Sequence, residues 1–282
     1  MKKILITGST GFIGKHLISI LNNLETKPSL SLVIRGNDNE ITKKFSEFTN
    51  IKNIIYTKDI FFEDVDWWTK QCNDIDTVIH LAWYVDPGLY LESPKNIDCL
   101  IGSLKLAKGA AKAGVKKFVG IGTCFEYDMS KSTLSIETSL RPTTTYANTK
   151  AALYYSLSRY LPLKKVEFAW CRLFYLYGEG EDPRRLTAYL HSRLKNNKTA
   201  KLTSGEQIRD FLDVVEAANR IVKIAIGRQT GPVNICSGIP ITIRQYAEKI
   251  ANEYGRLDLL QFGSRPDNLT DPSQVIGISN VK

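Results

Sequence analysis

The spacing of apolar and polar positions changes period along the chain. Short, nearly continuous apolar runs, Lys3 to Thr7, Leu30 to Ile34, Asn53 to Tyr56, Thr77 to Leu81, Lys117 to Ile121 and Val166 to Leu173, read as strands covered on both faces. Between them, Gly14 to Leu24, Pro94 to Ala113 and Tyr146 to Leu161 repeat their apolar residues every three to four positions, the pattern of amphipathic helices. This alternation predicts repeated βαβ units, and so an α/β fold on a doubly wound, mostly parallel sheet of the Rossmann type. After Gly178 the pattern breaks. A charged run, Glu179-Gly-Glu-Asp-Pro-Arg-Arg, leads into a helix from Leu186 to Leu194 and turn-bounded segments near Leu202, Val233 and Ile241.

The first strand runs into Gly8-Ser-Thr10-Gly11-Phe12-Ile13-Gly14, a glycine triad spaced GxxGxxG between a strand and a helix. The first glycine permits a tight turn, the second lets a pyrophosphate approach backbone, and the third lets helix and strand pack closely. A dinucleotide site is expected there, in a binding domain over residues 1–174. A smaller substrate-binding lobe over 175–282 is expected to interleave with it. The second strand ends at Arg35, where a guanidinium would pair the 2′-phosphate of NADP(H); NAD(H) is the alternative, because Asp38 could serve as the ribose acid if the register shifts. Asp59 and Ile60, after the third strand, are placed to meet an adenine edge. Leu81 and Ala82, in His80-Leu-Ala-Trp83, are placed to pass the cofactor phosphates and ribose. A lone histidine closing an apolar strand reads as a packed, hydrogen-bonded residue, so His80 is left out of the chemistry.

Tyr146 and Lys150 stand one helical turn apart in Pro142-Thr-Thr-Thr-Tyr-Ala-Asn-Thr-Lys. A phenol and an ammonium at this spacing share a helix face, and the cation is expected to lower the phenol's pKa and make it a proton donor and acceptor. Thr123, at the end of the fifth strand, could donate to the same substrate oxygen.

Composition narrows the class. The chain has 282 residues, 43% of them apolar, enough for a sizeable core. Five scattered cysteines without CxxC pairs or histidine clusters point to reduced residues and no metal. A net charge of +9 comes from dispersed lysine pairs such as Lys116-Lys117, which suits steering of an anionic small substrate better than nucleic-acid binding. No run approaches the roughly 20 apolar residues that span a membrane. The opening Met1-Lys-Lys-Ile-Leu lacks a signal-peptide pattern, so a cytoplasmic location is expected.

Taken together, Gly8-x-x-Gly11-x-x-Gly14, Asp59-Ile60, His80-Leu-Ala82, the Thr123 segment, Tyr146-x-x-x-Lys150, Arg172-Leu-Phe-Tyr-Leu-Tyr-Gly178 and Arg209-Asp-Phe211 resemble the extended short-chain dehydrogenase/reductase superfamily. Within it the chain is similar to the epimerase/dehydratase family acting on nucleotide sugars. The resemblance implies Tyr146 as acid/base, Lys150 as the group that lowers its pKa and holds the nicotinamide ribose, and Thr123 at the usual Ser/Thr position. It also implies that Arg209 grips a substrate diphosphate and, on a looser match, that Arg265 contacts the nucleotide. Tyr175 stands where the family often has a substrate-holding Asn. The expected partners are a nucleotide-diphosphate sugar and a second copy of the chain, through the helices near Pro94 to Ala113 and Tyr146 to Leu161.

Among the family's reactions, 4,6-dehydration needs an acid next to the catalytic threonine, but Cys124 and Phe125 follow it. Glu126, on a continuing strand, would point to the opposite face. A double epimerase-reductase would need a cysteine two residues past the Thr123 position and a distant histidine. Cys124 comes one residue past it and reads as a small packed residue, and none of the three histidines is a matching partner, although His191 could reach the cleft. The expectation is NADP(H)-dependent reduction of a C4 ketone on a nucleotide-linked sugar. An NAD-dependent 4-epimerase is the alternative, and a non-catalytic cofactor-binding regulator stays in view. The C-terminal segment is also shorter than the family's usual one.

Overall fold

Side chains alternate across a strand, and in this chain both sets are apolar, so each strand is covered on two sides. Ile4, Ile6, Leu30, Leu32, Val119, Ile121, Ala169 and Cys171 face one layer, while Leu5, Val33, Val78, Phe118, Phe168 and Trp170 face the other. The structure, a computed structural model, describes residues 1–36, 43, 45–268 and 271–282. Asp38 lies outside the described residues.

β1 (Lys3–Thr7), β2 (Ser29–Arg35), β3 (Ile51–Thr57), β4 (Thr77–His80), β5 (Lys117–Thr123) and β6 (Glu167–Leu173) fall where the apolar runs predict them. With β10 (Gly231–Ile235) they form a seven-stranded sheet in the order β10-β6-β5-β4-β1-β2-β3. Every pairing in it is parallel, which gives the doubly wound arrangement expected. On one face lie α1 (Phe12–Asn23) and α6 (Val214–Ile226), whose Leu17, Ile18, Leu21, Ala217 and Ile221 enter the same core. The other face carries α2 (Val65–Gln71), α3 (Lys95–Lys112) and α4 (Thr145–Leu163).

The remaining elements make a second layer system. β7 (Tyr175–Tyr177), β9 (Ile208–Asp213), β11 (Pro240–Thr242) and β13 (Gln274–Val275) form a four-stranded sheet, and β8 (Ala200–Lys201) pairs with β12 (Leu260–Gln261). Beside it, α5 (Leu186–Lys195) and α7 (Ile243–Glu253) enclose a small core of Leu190, Leu194, Tyr246 and Ile250.

Three helices fall outside the segments expected to be helical, although α6 and α7 do carry an amphipathic period. The seven residues of α2 are too few to show a period. α6 begins with no intervening loop, because Asp213 closes β9 and its carboxylate caps α6 by accepting from Val215 and Glu216 N–H. α7 starts with a capping box, Thr242 with Gln245. β10 and α6 both come from beyond residue 175 yet complete the main sheet and its cover. Among the described residues no helix is long and apolar enough to cross a membrane.

Ile221 is wholly buried between α6 and the sheet. Ile221→Ala is expected to cost about 2–5 kcal/mol, lowering the urea midpoint of a single cooperative transition. Loss of α6 in a separate early transition would show that this helix is not part of the main core.

Candidate active site

Strand ends in a parallel sheet point their loops to one edge, and this edge gathers the nucleotide-side residues. Gly8 turns the chain at φ +74°, and an added Cβ would lie 2.7 Å from Ala82 N, so the first turn and the loop after β4 touch backbone to backbone. A Cβ on Gly14 would meet Gly8 O at 2.3 Å, which is why α1 can begin directly on the turn. No side chain caps α1 at Gly11, leaving its first N–H groups and dipole for an anion. Ser9 Oγ is buried in that turn without a partner. These features fit a dinucleotide pyrophosphate held by Thr10, Gly11, Phe12 and Ile13. Arg35 is exposed at the end of β2 and Ile60 is buried beyond β3, while Asp59 bonds Phe61 N–H in its own turn. Leu81 N–H returns to Thr7 O.

The Tyr146 and Lys150 pair is placed by helix capping. Thr144 Oγ1 accepts from Ala147 N–H and starts α4, so Tyr146 falls in the first turn and Lys150 one turn on. Two unsatisfied N–H groups of that turn are taken by the loop after β4. Tyr146 N–H donates to Leu91 O, and Thr145 N–H and Oγ1 donate to the Glu92 carboxylate. The Tyr146 phenol hydrogen-bonds Thr123 and meets the Tyr90 ring edge-on, 4.9 Å between centroids. Lys150 Nζ donates to Ile121 O at 2.7 Å and lies 3.7 Å from the centre of the Trp83 ring.

Electrostatics depart from the expected coupling. Thr123, Tyr146 and Lys150 are 6%, 8% and 3% exposed, so desolvation dominates. It pushes the Tyr146 phenol above its ordinary value, with Tyr90 adding to the rise and the Thr123 bond opposing it. Burial also pushes Lys150 down to about 7, against the pull of the Glu126 charge. Burial therefore outweighs any acidifying pull of the ammonium on Tyr146, and the ammonium itself is engaged by a backbone bond and the Trp83 face.

Glu126 is turned inward, for a different reason from the one the strand period suggests. β5 stops at Thr123 and a short 3-10 turn, Cys124–Glu126, swings the carboxylate back under the strand. There it accepts from Thr123 N–H at 2.8 Å, from Trp170 Nε1 at 3.0 Å and from Arg172 Nε at 2.7 Å. Gly122 leaves the room, since its Cβ would lie 2.4 Å from that carboxylate. Cys124 is packed, its thiol pushed up to about 12 by burial. His80 is the buried, satisfied residue expected, between Thr7 Oγ1 and Ser103 Oγ at 2.7 Å each, and burial pushes it down to about 3. His191 bonds Tyr254 between α5 and α7 instead of joining Tyr146.

On the substrate side the picture is mixed. Tyr175 carries a buried hydroxyl without a partner, beside the Arg209 guanidinium at 5.3 Å from its ring. Arg209 is only 2% exposed and paired with Asp271 at 2.7 Å, where the resemblance implies a grip on diphosphate. Arg265 is exposed and stacks on Tyr189, apart from the Tyr146 group. Among the described residues no cluster suited to a metal ion occurs.

Residues 4–236 match the sequence model of the NAD dependent epimerase/dehydratase family. The chain belongs to this family. It is 23% identical over 253 residues to the dTDP-6-deoxy-L-talose 4-dehydrogenase (NAD(+)) of Aggregatibacter actinomycetemcomitans, covering 89% of this chain and 90% of the relative. It is 25% identical over 277 residues to the CDP-abequose synthase of Salmonella typhimurium, covering 93% and 84%. The solved UDP-N-acetylglucosamine 4-epimerase from Methanobrevibacter ruminantium, in complex with UDP-N-acetylmuramic acid, has a TM-score of 0.84 at 23% identity, covering 99% and 90%.

Around this family site stand residues that sequence patterning left unassigned: Tyr90, Asn96 and Asp271, with Trp83 noticed only as a neighbour of Ala82. They belong to loops and a helix start without a short motif, so only their contacts reveal them. Removing the Glu126 carboxylate strands a buried guanidinium. Glu126→Ala is accordingly expected to cost about 3–5 kcal/mol, read as a fall in thermal midpoint. A change under about 0.5 kcal/mol would mean that Arg172 is held by other groups.

Proposed function

We propose that this family member reduces the C4 ketone of a nucleotide-linked deoxysugar, with NADP(H) as the cofactor. The observation carrying the reading is that the Glu126 carboxylate, three residues past Thr123, is spent on Arg172 and Trp170, so it is not available to Tyr146 as a second acid or base. Dehydration needs such a group; plain hydride chemistry does not.

Tyr146, kept neutral by burial, donates its phenolic proton to the ketone oxygen. Thr123 Oγ1 accepts from Phe125 N–H at 3.3 Å, so the proton it shares with the Tyr146 phenol can turn to the same ketone oxygen as negative charge develops. Lys150 supplies positive charge behind the phenol and replenishes its proton. A bound nicotinamide would supply the hydride to C4, completing the alcohol. Tyr175 offers its unpaired hydroxyl to the sugar, and Arg209 reaches a diphosphate after exchanging Asp271 for it. Arg35, exposed at the end of β2, supports NADPH by offering a guanidinium to a 2′-phosphate.

A second reading is an NAD-dependent 4-epimerase, favoured by the solved 4-epimerase of high structural similarity and by the NAD(+) in the name of the talose relative. The two separate in one assay. Given a nucleotide-linked 4-keto-6-deoxysugar, the protein is expected to oxidise NADPH; interconversion of two C4 epimers with NAD held by the protein would establish the epimerase instead. Tyr146→Phe is expected to lower turnover by about 10²–10⁴-fold while cofactor still raises the thermal midpoint. Full activity in that variant would remove Tyr146 from the chemistry.

We also propose a homodimer through α3 and α4, which pack side by side and leave Ile97, Ile101 and Tyr155 exposed. Ile101→Glu should then shift the protein to monomer in sedimentation, and an unchanged mass would place any interface elsewhere.

A further inference from the structure

Lys150 is a buried cation with few partners. Among the described residues its Nζ gives one hydrogen bond, to Ile121 O, and it lies 3.7 Å from the centre of the Trp83 ring. That indole is not free to swing. Its Nε1–H donates to Asn96 Oδ1 at 2.8 Å, and its ring meets the edge of Phe61 at 6.4 Å. Asn96 is wholly buried in the first turn of α3, and its Nδ2 donates to Tyr90 O at 2.6 Å and Ser93 O at 3.0 Å. One asparagine thus fixes both the indole over Lys150 and the backbone of Tyr90, whose ring packs on Tyr146.

We propose that Trp83 and Asn96 are a positioning pair for the proton-transfer site: the indole face stabilises the buried Lys150 ammonium, and Asn96 holds that face in place. A cation over an aromatic face gains electrostatic attraction that strengthens on desolvation, and tryptophan offers the strongest face. The other groups around Lys150 do not supply this. Glu126, from the turn after β5, raises its proton affinity but is bonded by Thr123, Trp170 and Arg172. Cys99, from α3, has a thiol pushed up to about 11 by burial. His80, from β4, is held neutral, Tyr146 is a neutral phenol, and the Trp170 ring is farther off at 6.0 Å. The inference takes Lys150 as part of the proton-transfer site, as the proposed function does, but concerns a property of the lysine that can be read without turnover.

The test is the titration of Lys150 in protein labelled with [ε-13C]lysine, its resonance assigned by its loss in Lys150→Arg. Trp83→Leu is expected to lower the Lys150 midpoint by about 0.4–1.5 pH units, the size of a cation–π contact. Trp83→Phe, which keeps an aromatic face, should fall between and nearer the wild type, and it carries the test if the leucine variant does not fold. A midpoint that stays put or rises in Trp83→Leu, or equal midpoints for leucine and phenylalanine, would overturn the proposal. The expected shift without reduction of any nucleotide-linked ketosugar would sustain the positioning role and sink the proposed reaction, and the reverse result would do the opposite.

Discussion

The Glu126 carboxylate, closed off from water beneath β5, is the constraint on which the site depends. Its pairing with Arg172 is 0% and 1% exposed on the two sides, so neither charge can be left alone. Two buried ions cost several kcal/mol each in lost hydration, and the cost is offset only when the remaining lone pairs and N–H groups are met. Thr123 N–H and the Trp170 indole meet those of the carboxylate. Arg172 lies against the rings of Tyr127 and Tyr154, at 4.7 and 4.5 Å, while its buried Nη2 has no hydrogen-bond partner among the described residues and rests on these ring contacts instead. Because Tyr154 belongs to α4, the same ion pair ties the helix of Tyr146 and Lys150 to the strand end that carries Thr123. It also ends β5 where it does.

Burial sets the protonation states as well as the positions. In the nearly dry space between β5 and α4, the phenol and the ammonium are each driven toward neutrality, and a neutral phenol is the form that can donate a proton. The Thr123 bond and the Glu126 charge work against that drift, the first on Tyr146 and the second on Lys150. The site balances desolvation against a few fixed partners.

Much of this was legible in the residues. Six strands and the helices of the glycine turn and of Tyr146 follow from patterns within ten or twenty positions, where period and propensity decide the outcome. Gly8 and Gly14 announce close backbone approach because nothing larger fits. A strand period takes Glu126 out of the cleft but cannot foresee the 3-10 turn by which it leaves. Spacing alone overrates the effect of Lys150 on Tyr146, because it shows neighbours but not dielectric. Arg209 and Asp271 lie 62 positions apart, and nothing local in either announces the other.

The distant part of the chain bears on the site for the same reason. Tyr127, just past the turn, donates its hydroxyl to Asn234 Oδ1 at 2.7 Å, and Arg172 reaches the same hydroxyl. Asn234 sits on β10 and gives its Nδ2 protons to Leu134 O and Ile278 O, while its backbone N–H is taken by Asn280. The network around Glu126 is therefore closed only when β10 has joined β6 and the segment near Ile278 has come back over it. Each unmet donor in such a buried network costs about as much as a bond contributes, so these bonds favour one another. Completion of the sheet by residues beyond 230 and the placement of Thr123 are thus one cooperative event.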